Sequence, residues 1–236
     1  MADLYQYRTA PEEPLDCLYI LHTAGSDPIE KISFETKEKR ALRTKIKGLA
    51  PRGQEGELIS GECPLEVAHR VTFVGLGDKN ELTHGKLRAA MRRVMRQATK
   101  NREYQIGLAV SARVHGLSEA EARLFALREA AIADYTFDRF KSKKNEFDKI
   151  DGLHIFPLAK ESEEDLETRL TSVRLVRTSV QLARDLANRP GNDLTPEALA
   201  EAARKMAEDL NGLRVIVLGK KELLKEKMGG ILAVSQ

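Results

Sequence analysis

Histidines and cysteines are the residue types that most often hold metal ions or act as nucleophiles, and this chain carries five histidines and two cysteines. The histidines show neither the H-E-x-x-H pattern of zinc peptidases nor any paired spacing, and Cys17 and Cys63 lie far apart in the sequence. Neither a G-x-S-x-G nucleophile motif nor a Walker loop occurs. These sequence motifs therefore identify no catalytic residue, no cofactor-binding residue and no metal ligand in this chain.

A glycine pair is the only sequence feature that supports a nucleotide site. Gly75 and Gly77 follow a predicted strand, where backbone amides can approach a phosphate. The third glycine and the downstream acid of a dinucleotide fingerprint are not in register. A plain turn at the strand exit, which glycine allows at positive φ, is the favoured interpretation.

A basic stripe is the most unusual charge pattern. Four residues recur at i, i+4 spacing, namely Arg88, Arg92, Arg96 and Lys100. Lys86, Arg93 and Arg102 add to them, and no acid occurs between Glu81 and Glu103. Like charges at this spacing repel by ~0.2–0.5 kcal/mol per pair, so a partner would relieve them. That partner could be phosphate, an acidic surface of another subunit, or another part of the same protein.

Hydrophobic periodicity indicates the elements that carry these residues. Apolar runs predict strands at residues 16–22, 70–76, 105–110, 152–156, 213–218 and 231–234. Apolar stripes and capping residues predict helices at residues 82–101, from Ser118, at 162–187, from Thr195, and at 221–227. Leu199, Met206 and Leu210 are expected on the buried face of the helix from Thr195. The alternation of strands and helices predicts an α/β fold with a largely parallel or mixed sheet.

Composition excludes several classes of protein. The hydrophobic share of 42% is ordinary, and no apolar run approaches the ~20 residues of a membrane helix. The first residues show neither the basic start nor the apolar stretch of a secretory signal, and two cysteines cannot build a disulfide framework, so we expect a cytoplasmic protein. The net charge of +3 does not by itself imply a nucleic-acid partner.

The segment after the long helix carries a specific pattern, N-x-P-G-N-x-L-T-P. Its defining residues are Asn188, Pro190, Gly191, Asn192, Thr195 and Pro196. This pattern resembles the start of the catalytic domain in the leucyl aminopeptidase (cytosol aminopeptidase, M17) family. Three further segments, 73–77, 135–144 and 228–236, resemble segments of the same family and occur in the order expected for it.

The resemblance implies a domain organisation. Residues 1–160 would form an N-terminal α/β domain similar to macro domains, 161–188 a linker helix, and 189–236 the truncated start of the catalytic peptidase domain. Family members remove N-terminal amino acids from peptides with two divalent metals, zinc or manganese, and assemble as homo-hexamers.

The family's metal-binding motifs, G-K-G-x-x-x-D-[ST]-G-G and N-T-D-A-E-G-R-L, do not occur in this sequence. We therefore expect this chain to be the non-catalytic N-terminal portion of such an enzyme and to be inactive alone. The alternative hypothesis is a nucleic-acid-binding module that uses the basic helix 86–102. A third hypothesis is nucleotide or ADP-ribose binding through the macro-like domain.

Overall fold

The computed structural model describes residues 13–30, 32–110, 112–143, 150–156, 163–208, 210 and 212–234, with side chains of the long helix described from Thr168 onward. The chain divides into two compact units, Met1–Gln181 and Leu182–Gln236. No helix among the described residues is both long and apolar enough to cross a membrane. The predicted domain boundaries at 160 and 188 stay predictions.

Five strands are described: β1 Leu15–His22, β2 Leu58–Glu62, β3 Ala68–Gly75, β4 Gln105–Val110 and β5 Gly152–Ile155. The helices are α1 Thr36–Leu49, α2 His84–Asn101, α3 Glu119–Ala133, α4 Glu163–Ala187, α5 Pro196–Glu208, α6 Lys220–Lys225 and α7 Gly229–Val234. All five strands lie in the first unit, and the division between the units falls within α4.

The strands form one mixed sheet in the order β2-β3-β1-β4-β5. β1 pairs in parallel with β3 and β4, and β5 pairs in parallel with β4. Among these five strands, the edge strand β2 alone is antiparallel, through its pairing with β3. The predicted mixed α/β fold is confirmed.

Side chains of β1 alternate between two hydrophobic layers because successive residues of a strand point to opposite faces. Tyr19 and Leu21 belong to one layer, together with apolar residues of α2, α3 and α4. Leu18 and Ile20 belong to the other layer, together with Leu42 of α1. Both faces of the sheet are therefore covered by helices, as parallel strands require.

Helix starts follow the predicted capping chemistry. The Ser118 hydroxyl accepts a hydrogen bond from the Glu121 amide, and the Glu121 carboxylate accepts one from the Ser118 amide, which completes the expected capping box of α3. α2 is capped in a related way, since the Thr83 hydroxyl accepts from the Lys86 amide at 3.3 Å. The apolar stripe predicted for α2 is buried in the structure.

The prediction of two strands near the end of the chain is wrong. Residues 213–218 have no regular secondary structure, and residues 231–234 lie in α7. β-propensity reflects packing in a sheet, and no strand is described in the second unit with which 213–218 could pair. Ile216 is accordingly 68% exposed.

The prediction that α5 has a buried face is also wrong. None of the residues of α5 is buried, and Leu199 is 49% exposed. Met206 and Leu210 are exposed as well. Among the described residues of the second unit, nothing covers this apolar stripe.

A buried carboxylate ties β1 to the start of β4. The Glu103 side chain is 1% exposed and accepts hydrogen bonds from the Tyr19 hydroxyl at 2.6 Å and the Arg70 guanidinium at 2.8 Å. The Asn101 amide donates a third at 2.9 Å. Burial raises the pKa of Tyr19, so the phenol remains a donor throughout the neutral range.

We expect Glu103→Ala to lower the free energy of unfolding by about 3 kcal/mol, because it leaves the buried Tyr19 hydroxyl without its acceptor. Tyr19→Phe should lower it by less, about 1–2 kcal/mol, since the Glu103 carboxylate keeps its hydrogen bonds from Arg70 and Asn101. Urea unfolding followed by circular dichroism measures both values. The exposed Glu66→Gln is the matched control, and a Glu103→Ala variant as stable as this control would contradict the structural role.

Stability should also depend on His22, which lies at the end of β1 with its ring edge-on to Phe73. Burial lowers the pKa of His22 below its ordinary value, so the folded state resists protonation while the unfolded state takes up a proton below about pH 6.5. The unfolded state then binds more protons, and stability falls as pH decreases. His22→Leu should lose less stability than the unaltered protein between about pH 7.5 and pH 5.5. Equal losses in urea titrations at the two pH values would contradict this assignment.

Candidate functional site

The basic stripe lies on the exposed side of α2. Its four members, Arg88, Arg92, Arg96 and Lys100, are all exposed, whereas the opposite side of the helix is buried in the core. The helix is bounded by Thr83 at its start and by Arg102, which adopts the left-handed conformation at φ 57°, at its end. Helical spacing of four residues places successive charges about 6 Å apart along the axis.

Arg88 does not belong with the other three. Its Nε donates to Glu129 Oε2 of α3 at 2.8 Å, and its guanidinium lies 5.9 Å from the centre of the Phe125 ring. The Glu129 side chain is only 8% exposed. Arg88 is therefore the counter-charge of a nearly buried carboxylate, a contact that a sequence pattern cannot reveal because the partners are 41 positions apart.

Lys86 is likewise paired within the chain. Its ammonium lies 3.1 Å from a carboxylate oxygen of Glu81 and 3.2 Å from one of Glu55. The hydrogen bonds to Glu81 and then to Glu55 raise the pKa of Lys86. Its charge is thus compensated locally.

Three cations of the stripe remain. Arg92, Arg96 and Lys100 form no ion pair with any residue that the structure describes. No aromatic residue lies between His84 and Asn101. These three residues are called the basic face below, and they offer charge without a stacking surface.

The 188–196 segment forms a turn and a helix start. The Pro190 carbonyl accepts hydrogen bonds from the amides of Asp193 and Leu194, each at 2.9 Å. The Arg189 guanidinium pairs with the Asp193 carboxylate and donates to its carbonyl at 2.7 Å. Gly191 and Asn192 are exposed in this turn, which begins shortly after Asn188.

Thr195 and Pro196 then begin α5. The Thr195 hydroxyl accepts a hydrogen bond from the Ala198 amide at 3.2 Å, and Pro196 occupies the first helical position, where a missing N–H has no cost. The contacts described for the motif are those of a turn and a cap. They place no nucleophile or general base.

The Gly75–Gly77 turn uses its glycine amides within the chain. The Gly75 N–H donates to the Glu57 carbonyl at 2.9 Å, and the Gly77 N–H donates to the Gly53 carbonyl at 2.8 Å. A Cβ at Gly75 would lie 2.0 Å from the Gln54 carbonyl oxygen, so glycine is required by the close approach of residues 53–57. The strand-exit turn explains both glycines, and they no longer support the ADP-ribose hypothesis.

Metal-binding side chains do not converge in the part of the chain that the structure describes. No cluster of three or more His, Cys, Asp or Glu side chains that could hold a metal ion occurs among these residues. They therefore do not provide a fit for the two divalent metals implied by the resemblance. The expectation that the metal ligands belong to a further part of the catalytic domain stays a prediction.

Two family models match the chain in succession. The N-terminal domain of the cytosol aminopeptidase family matches residues 25–144, and the catalytic domain of the same family matches residues 181–236. A probable cytosol aminopeptidase of Syntrophotalea carbinolica is 33% identical over 226 residues, which cover 94% of this chain and 45% of that protein. A probable cytosol aminopeptidase of Acinetobacter baylyi is 34% identical over 173 residues, covering 72% of this chain and 34% of that protein. The chain thus spans less than half the length of these relatives.

Solved structures show the same fold. A mutant of tomato leucine aminopeptidase aligns with a TM-score of 0.70 at 22% identity, covering 94% of this chain and 45% of that one. The bottromycin maturation enzyme BotP aligns with a TM-score of 0.65 at 21% identity, covering 89% of this chain and 41% of that one.

Proposed function

The chain belongs to the cytosol aminopeptidase family, and we propose that it is the non-catalytic N-terminal portion of a leucyl aminopeptidase that removes N-terminal amino acids from peptides. One observation carries this proposal: the N-terminal family model matches 25–144, whereas the match to the catalytic model is confined to 181–236. The two divalent metals, zinc or manganese, and the catalytic residues would then belong to the remainder of the catalytic domain. The longer protein would act on peptides in the cytoplasm as a homo-hexamer.

The packing of the second unit supports this proposal. Its described residues include none that is buried, and large apolar side chains such as Leu213, Ile216 and Leu224 are exposed. A unit of this size normally buries its apolar residues in a core of its own. These side chains fit an incomplete layer of a larger catalytic domain.

We expect the chain alone to release no p-nitroaniline from leucine p-nitroanilide when Mn²⁺ or Zn²⁺ is added. A bridging-water mechanism needs metal ligands, and the family's two metal-binding motifs do not occur in this sequence. Absorbance at the wavelength of p-nitroaniline measures the reaction. The Syntrophotalea carbinolica relative, assayed at equal concentration, is the matched control. Turnover by this chain that EDTA abolishes would contradict the proposal.

The basic face favours a second candidate function, the binding of nucleic acid. Arg92, Arg96 and Lys100 are exposed on successive turns of α2 and are not compensated by described acids. Lysine and arginine on one helix face bind the phosphate backbone without reading its sequence. Arg88 is excluded from this face by its pairing with Glu129.

If the basic face binds duplex DNA, replacing Arg92, Arg96 and Lys100 by Gln should reduce the slope of log affinity against log salt by about 3, one for each phosphate that is no longer neutralised. Gel-shift titrations at several salt concentrations measure the slope. A control variant replaces three exposed cations of α1, Lys37, Arg40 and Lys47, by Gln and so removes the same net charge. Equal slopes for the two variants, or no binding by the unaltered chain, would remove this function.

A further inference from the structure

A groove in the first unit has a lining that contains no residue of the basic face. It runs between α3 and α4, which contribute Glu121, Leu124, Phe125 and Arg128 on one side and Arg169 and Ser172 on the other. Its volume is about 400 Å³. This volume falls within the range of small-molecule sites, ~300–1,000 Å³.

The floor of the groove is apolar and held in place. Phe125 belongs to the lining, with the His84 ring edge-on at 5.2 Å and the Arg128 guanidinium 4.9 Å from the ring centre. Leu124 of α3 and Val173 of α4 extend the apolar surface on either side. Val173 is buried in the core, so this wall cannot move away easily. The groove therefore presents a fixed surface for an apolar side chain.

The walls of the groove carry opposite charges in unequal number. Arg128 and Arg169 are cationic, and Glu121 is anionic because hydrogen bonds from the Ser118 hydroxyl and amide, together with Arg169, lower its pKa. Glu129 lies outside the lining, 3.6 Å from Arg128, and already receives the closer hydrogen bond from Arg88 at 2.8 Å. Among the described lining residues, the arginines thus exceed the carboxylates by one positive charge, which favours binding of an anion.

We propose that this groove binds a carboxylate attached to an apolar side chain, as found in a free apolar amino acid or in the C-terminal residue of a peptide. The guanidinium of Arg128 or Arg169 receives the carboxylate, with the Ser172 hydroxyl as a further donor, because planar guanidinium groups pair with carboxylates through two parallel hydrogen bonds. The side chain packs against Leu124 and Val173, because the Arg128 guanidinium already lies over the Phe125 ring. Binding of this kind is a property of the chain itself and does not rest on the proposed peptidase role.

Isothermal titration calorimetry with the whole chain tests the proposal. N-acetylleucine, which keeps the carboxylate and lacks a free amine, should bind, and leucinamide, which keeps the amine and lacks the carboxylate, should not. Leucine and glycylglycylleucine then distinguish the sources: the one that binds more tightly identifies either the free amino acid or the peptide terminus as the ligand. Binding of leucinamide as tight as that of N-acetylleucine, or no saturable heat with any of the carboxylates, would overturn the proposal.

Variants locate the site. Arg128→Gln and Arg169→Gln should each weaken binding of N-acetylleucine by about tenfold, the effect of removing one charge-assisted hydrogen bond. Arg169→Lys should restore part of the affinity, because it keeps the charge without the planar fork. The matched control is Arg40→Gln, an exposed arginine of α1. Unchanged affinity in both groove variants, with circular dichroism showing that they are folded, would overturn the assignment of binding to this groove.

Discussion

Burial of β1 on both faces is the constraint on which the rest of the first unit depends. Every residue of this strand from Cys17 to His22 is buried, and the strand is hydrogen-bonded to β3 on one side and β4 on the other. A parallel strand in this position needs helices over both faces of the sheet to exclude water from it. The chain meets the requirement with α1 on one face and α2, α3 and α4 on the other. The Glu103 carboxylate adds a fixed polar link near the start of β4, where it accepts from Tyr19 of β1.

The central strands were predictable from sequence because their signal is local. β4 matches the predicted residues 105–110, since an unbroken apolar run of this length is typical of a strand buried on both faces. α1 and β2 carry no comparable signal, because the segment that contains them is rich in charge. Leu42 is the only buried residue of α1, and Ile46 and Leu49 of the same helix pack only partly against the core. A long-range contact such as Arg88–Glu129 has no sequence signal at all.

The charges of α2 illustrate how much of a helix face is set by its neighbours. Four cations at i, i+4 spacing look equivalent in the sequence, yet Arg88 is held by a nearly buried acid of α3 while Arg92 faces solvent. Removing Arg88 would leave Glu129 with the more distant Arg128, at 3.6 Å. Repulsion along the helix is small by comparison with the desolvation of a carboxylate without its partner. One cation of the stripe, Arg88, therefore stabilises the fold by pairing with Glu129. The basic face is the part of the stripe that forms no ion pair with the described residues.

The two units differ in how far their apolar residues are buried. In the first unit the same residue types that predict strands and helices are buried in two continuous layers. In the second unit the apolar residues keep their spacing, but Ile216 and Val234 are 68% and 89% exposed. Burial stabilises a large aliphatic side chain by about 1.5–3 kcal/mol, and exposed apolar surface of this kind is typical of a region that packs against another part of a protein. The prediction of a strand at 213–218 is wrong for a related reason. A segment rich in β-branched residues becomes a strand only when a neighbouring strand supplies its hydrogen bonds.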